Sequence, residues 1–120
     1  MSNYPKAIGP YSAYREVNGL LFISGQLPIN PDSGEIESHD IKEQTKQSLK
    51  NIGAILEENG ISYDKVVKTT CFLADINDFV AFNEIYAEFF KAPYPARSAF
   101  AVKDLPKKAK VEIEIIAQKG

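Results

Sequence analysis

Two residues combine a reactive type with an unusual setting. Arg97 lies in Tyr94-Pro95-Ala96-Arg97-Ser98-Ala99-Phe100, and Glu112 lies in Lys110-Val111-Glu112-Ile113-Glu114-Ile115-Ile116. Each is set in an otherwise apolar, strand-like run. Arg97 and Arg15 are the only arginines, so the guanidinium is a rare choice in a lysine-rich chain. Its rigid fork of donors matches a carboxylate two bonds at a time, whereas lysine is a flexible point charge. A carboxylate near such a fork can position a water and take its proton. The pair suggests hydrolysis of a small anionic substrate. A second reading stands beside it: a surface ion pair across two adjacent antiparallel strands, an arrangement that is common and carries little energy. Two details favour chemistry. Proline stiffens the chain just before Arg97, and the apolar neighbours of Glu112 imply partial desolvation, which tunes carboxylates as bases.

Other candidates are weaker. Tyr11 follows Ile8-Gly9-Pro10, which reads either as a turn with a packed tyrosine or as a phenol lining a pocket. Ser24-Gly25-Gln26 ends an apolar run, where glycine permits close approach of a ligand or marks a bulge. Spacing alone makes Asn83 an exposed polar residue on a helix. Cys71 reads as a buried core thiol, since a reactive cysteine needs an electropositive, accessible setting. His39 sits at the edge of a helix start and reads as loop periphery. One His and one Cys give no zinc set, and no phosphate loop, dinucleotide fingerprint or Ser-His-Asp arrangement occurs. The expectation is no metal and no cofactor.

The elements that must hold these residues are legible from patterning. Tyr11–Val17 and Leu20–Ser24 predict two antiparallel strands joined by an Asn18-Gly19 hairpin turn. Residues 26–39 contain Pro28, Pro31 and Gly34 and predict a loop, with a short strand pairing around Asp32-Ser33-Gly34. Asp40 predicts a helix start, with Glu43 completing a capping box. Ile41, Thr45, Leu49, Ile52 and Leu56 form its apolar stripe, and Gly60 its end. Val66–Ala74 reads as a strand covered on both faces. Phe79, Phe82, Tyr86 and Phe89 predict a second helix with an aromatic buried face, which Pro93 and Pro95 show to have ended. Ser98–Val102 and Val111–Ala117 are the last strands, joined by a turn at 105–108. The order β-β-(β)-α-β-α-β-β is an α+β fold in one domain, 1–120. Two helices cover one face of such a sheet, and the other face expects a partner, most simply a second copy of the chain.

Composition narrows the function. At 120 residues the chain buries enough surface to fold without disulfides or structural metal. A formal net charge of −2 and no basic stripe argue against nucleic acid. A single cysteine fits a reducing compartment. The stretch Met1–Lys6 has no apolar leader pattern and nothing later approaches a membrane span. The expectation is a cytoplasmic protein with no membrane partner.

At these residues the chain resembles the RidA (YjgF) family of enamine/imine deaminases. The resemblance covers essentially the whole chain. It runs through Ala7-Ile8-Gly9-Pro10-Tyr11, Ser24-Gly25-Gln26, Gly34-Glu35, Gln47-Ser48-Leu49-Lys50-Asn51-Ile52, Val67-Lys68-Thr69-Thr70, Asn77-Asp78-Phe79 and Asn83. Pro95-Ala96-Arg97-Ser98 followed by Val111-Glu112-Ile113-Glu114 is its most specific part. It implies a chorismate-mutase-like fold with two helices on one face of a mixed sheet, and a homotrimer with a barrel-like centre and clefts between subunits. It implies cofactor-independent hydrolysis of 2-iminobutanoate and 2-iminopropanoate, released by pyridoxal-phosphate-dependent dehydratases, to 2-oxo acids and ammonia. Carried over by position, Arg97 would bind the substrate carboxylate and Glu112 would activate water. Tyr11 would hydrogen-bond near the substrate. Ser24, Gly25 and Asn83 would line the pocket, and the backbone at Ser98 and Ala99 would contact the ligand. Many members carry cysteine where this chain has Ala99, so a thiol role at the site is not implied here. The alternatives are a non-catalytic binder of small keto or amino acids and a ribonuclease or translation inhibitor, an activity attributed to some relatives.

Overall fold

A computed structural model describes residues 3–120; Met1 and Ser2 lie outside the described residues. Five strands form one mixed sheet: β1 (Tyr14–Val17), β2 (Leu20–Gln26), β3 (Val66–Leu73), β4 (Ala96–Ala101) and β5 (Val111–Gln118). The spatial order is β1-β2-β5-β3-β4. Only β3 and β4 pair parallel, through the helix between them, and every other pair is antiparallel. The helices are α1 (Ile41–Glu58) and α2 (Phe79–Phe89).

The hairpin forms as its sequence requires. Asn18 and Gly19 both have positive φ, 51° and 76°, which matches the twist of the flanking strands. The first strand is shorter than expected. It begins at Tyr14, because the turn at Gly9-Pro10, closed by Tyr11 N–H to Gly9 C=O, diverts the chain, and only the Ala13 carbonyl before it still accepts from β2, from Ser24 N–H at 2.9 Å. The strand pairing expected in the 26–39 loop is reduced to one bridge, Asn30 to Glu35.

Asp40 caps α1 by accepting from the Glu43 N–H at 3.0 Å. The capping box is only half formed, since the Asp40 N–H donates to Ser38 Oγ and Glu43 turns to Lys46. At the other end the N–H groups of Gly60 and Ile61 reach back to the carbonyls of Glu57 and Leu56, closing a Schellman motif. The expected stripe is buried, and Ile55 joins it. A 3-10 turn capped by Asp75 feeds α2. Its Phe82 and Tyr86 are buried, with Phe90 just beyond the helix end.

Both helices lie on one face of the sheet. On β5, Val111, Ile113, Ile115 and Ala117 are buried against them. Truncating Ile113 would remove a fully buried side chain, at a cost of about 2–5 kcal/mol. Among the described residues no helix covers the opposite face. Phe22 and Phe100 are exposed there. Among the described residues no helix is long and apolar enough to cross a membrane.

Candidate active site

Alternation along the strands decides where each candidate side chain points. Arg97 is in register with Thr69, whose hydroxyl bonds the Tyr86 hydroxyl of α2 at 2.9 Å. Arg97 therefore lies on the helix side, at the edge strand β4. Its guanidinium carbon sits 4.7 Å from the Tyr86 ring centre and 5.4 Å from that of Phe79. Its Nη1 donates to Asn83 Oδ1 at 2.6 Å. The aromatic faces and the amide hold the fork in one orientation. Among the described residues no carboxylate pairs with it. The remaining donors open onto a concavity lined by Asn83, Tyr86, Ala87, Tyr94 and Pro95.

Glu112 is in register with Phe72, which packs edge-on to Phe100 on the uncovered face. The carboxylate is half-buried against the backbone of Gly25, where a side chain would overlap it. Gly25 falls at the register shift between Ile23 and Gln26, so the bulge reading and the close-approach reading both hold. Burial, and secondarily the nearby Glu114, raise the Glu112 pKa above the ordinary carboxylate range. Gly25 and Tyr11 line a cavity of about 250 Å³ with Leu27, Ile29, Pro5 and Ile8. The N-terminal segment forming one wall is tethered by Tyr4 and Tyr14, whose hydroxyls both donate to Glu58, at 2.9 and 2.7 Å. Ser24 Oγ donates to the Ser12 carbonyl at 2.6 Å, tying the end of β2 to the stretch after Tyr11.

The candidates thus form two groups on opposite faces of one sheet. Tyr11, Ser24, Gly25 and Glu112 make the first; Asn83 and Arg97 make the second, with Ala99 packed against the core beside it. Ser98 turns the other way and accepts from Lys68 Nζ at 3.1 Å. The cross-strand ion pair is corrected: β3 lies between β4 and β5, and Arg97 and Glu112 point to opposite sides. Asn83 is no idle surface amide, and the aromatic stripe of α2 is also the platform under Arg97. Spacing alone hid both roles. Cys71 is buried, its thiol pushed up to about 11 by that burial, and His39 is exposed in the loop.

Comparison with known proteins places the chain. The sequence profile of the family described as Endoribonuclease L-PSP matches residues 1–119. The human 2-iminobutanoate/2-iminopropanoate deaminase is 49% identical over 116 residues, 97% of this chain and 85% of that protein. A crystal structure of a conserved Rid family protein from Yersinia pestis superposes with a TM-score of 0.94 at 53% identity, over 97% of this chain and 93% of that one. The chain belongs to the Rid (YjgF) family. Another Rid relative, E. coli TdcF solved with bound serine, has a TM-score of 0.93 at 42% identity, over 98% of this chain and 94% of that one. The Rid assignment agrees with the mixed sheet and the two helices on one face.

Proposed function

We propose that the protein hydrolyses short 2-imino and enamino acids, 2-iminobutanoate and 2-iminopropanoate, to 2-oxo acids and ammonia. The observation that carries this reading is Glu112: a carboxylate lifted above its usual pKa by burial, against a glycine backbone at the wall of a cavity. A base tuned in that direction takes a proton more readily near neutral pH. A protonated imine is already electrophilic, so no covalent nucleophile is required. The Arg97 fork binds the substrate carboxylate. Glu112 takes a proton from water as its oxygen bonds to the imine carbon. The resulting carbinolamine receives that proton on nitrogen; the C–N bond breaks as the hydroxyl proton passes to the Glu112 carboxylate, leaving the 2-oxo group, and ammonia departs with that proton as ammonium. Tyr11 hydrogen-bonds at the pocket, Ser24, Gly25 and Asn83 line it, and the backbone at Ser98 and Ala99 contacts the ligand. Enzymes that release such imines, as pyridoxal-phosphate-dependent dehydratases do, would supply the substrate.

One chain cannot bring Arg97 and Glu112 to one ligand, since they face opposite sides of the sheet. The reading therefore includes a homotrimer whose uncovered faces meet in a barrel-like centre, with sites between subunits. Exposed Phe22 and Phe100 on that face support it. The test couples the protein to a threonine dehydratase, with semicarbazide competing for the imine. Faster 2-oxobutanoate release is expected, and its loss in Arg97→Ala and in Glu112→Ala. Unchanged acceleration in both variants would overturn the assignment. The structure of TdcF with bound serine favours a second reading, in which the same clefts bind small amino or keto acids without turnover. Calorimetric binding of 2-oxobutanoate with no imine hydrolysis would establish that reading instead.

A further inference from the structure

The Gln47–Asn51 pair on α1 takes no part in the chemistry above, yet it grips the segment that walls the cavity. Asn51 is fully buried. Its Nδ2 donates to the carbonyls of Leu27 at 3.1 Å and Ile29 at 2.9 Å. Its Oδ1 accepts from Gln47 Nε2 at 2.9 Å. Both hydrogens of the amide are therefore used, and its oxygen has a partner. The ladder between β2 and β5 ends at the pair Gln26–Ile113, so neither carbonyl has a strand partner, although Leu27 C=O also accepts from the Ile29 N–H at 2.8 Å. A buried carbonyl must find some donor. One amide in this orientation supplies N–H groups to both carbonyls. The carbonyls fix the orientation, because a flipped Asn51 would present oxygen to both, and Gln47 supports it by donating to the oxygen on the other side. Leu27 and Ile29 line the cavity together with Gly25, on which Glu112 rests.

We propose that Asn51, supported by Gln47, is a positioning residue for substrate selection. It sets where Leu27 and Ile29 stand and so the space left for the substrate's side chain beside Glu112. The inference rests on the deaminase reading for its substrates. A wall of this kind discriminates by chain length. The ethyl group of 2-iminobutanoate reaches further into the cavity than the methyl of 2-iminopropanoate, and a misplaced wall penalises it more.

The test uses Gln47→Glu, nearly isosteric, which replaces the donor on Asn51 Oδ1 with a repelling carboxylate and so loosens the amide's hold on the two carbonyls. Gln47 is only half-buried, so the helix tolerates the change. Gln47→Lys keeps a donor and serves as the rescue. Competition with semicarbazide reads kcat/KM for both imines. Calorimetry reads affinity for 2-oxobutanoate and pyruvate. The expected result is a preference for the four-carbon over the three-carbon compound that falls about tenfold in Gln47→Glu, the range set by one methylene, and returns in Gln47→Lys. Equal losses for both compounds, or no loss for either, would overturn the inference. Should the wild-type protein bind 2-oxo acids but hydrolyse neither imine, the deaminase reading fails alone, and the affinity ratio still decides whether the pair shapes the pocket.

Discussion

The Glu112 carboxylate rests on Gly25 so closely that a methyl group at Gly25 would overlap it. Gly25 does not have positive φ, so alanine there meets no backbone penalty and the effect falls on Glu112 alone. Gly25→Ala is expected to keep the fold, checked by circular dichroism, and to lower imine hydrolysis by about 100-fold, the scale for a catalytic group moved by an ångström. Wild-type rates in that variant would separate Glu112 from catalysis.

Burial, then Glu114, raise the Glu112 pKa, and the direction has two consequences. The base acts when ionised, so the rate falls as pH falls through a midpoint above the ordinary glutamate value of about 4.3. Glu114→Gln removes the second cause and moves that midpoint down. Stability runs the other way. A carboxyl whose folded pKa exceeds its unfolded one stabilises the fold below the unfolded pKa, and that contribution is lost as pH rises through the folded pKa. Glu112→Gln is therefore expected to be inactive yet to melt higher than wild type at neutral pH. The gap should close toward pH 4. Thermal melts at both pH values check it.

Arg97 is oriented by one short bond to Asn83 and by two aromatic rings. Removing the bond leaves the charge but frees the fork. Asn83→Ala is expected to weaken 2-oxobutanoate binding about tenfold, the worth of one hydrogen bond to a charged group. Arg97→Lys loses both the bidentate geometry and the flat stacking surface, and is expected to weaken binding about 100-fold. Calorimetry at fixed salt measures both. Equal affinities across the three proteins would remove Arg97 from carboxylate recognition.

Local signals carried most of the fold. The Asn18-Gly19 turn, the Asp40 cap, the α1 stripe and the alternating faces of β5 are each decided within a few residues. The site was legible as residue types and not as geometry. Register and strand order determine that Arg97 and Glu112 face opposite sides, and both depend on β5 inserting between β2 and β3, a pairing between segments distant in sequence. Asn83 and Tyr86 looked like surface and core because a helical period says which face a residue lies on, not what lies across from it. Nothing local to α1 marked Asn51. Its partners, Leu27 and Ile29, lie more than twenty residues away.

The opposed faces make a prediction that no intrachain site shares. If each site takes Arg97 from one subunit and Glu112 from its neighbour, then Arg97→Ala and Glu112→Ala are each inactive alone but complement one another. In trimers reassembled from an equal mixture, a site is intact only where an intact Arg97 meets an intact Glu112. Random assortment in a cyclic oligomer makes about a quarter of the sites whole. Activity should therefore rise from background to about a quarter of wild type after the two variants are unfolded together and refolded. It should not rise when they are refolded apart and mixed cold. Light scattering confirms the trimer in each sample. Background activity in properly assembled mixed trimers, with each variant inactive alone, would mean that both residues serve one chain's own site and would overturn the intersubunit reading.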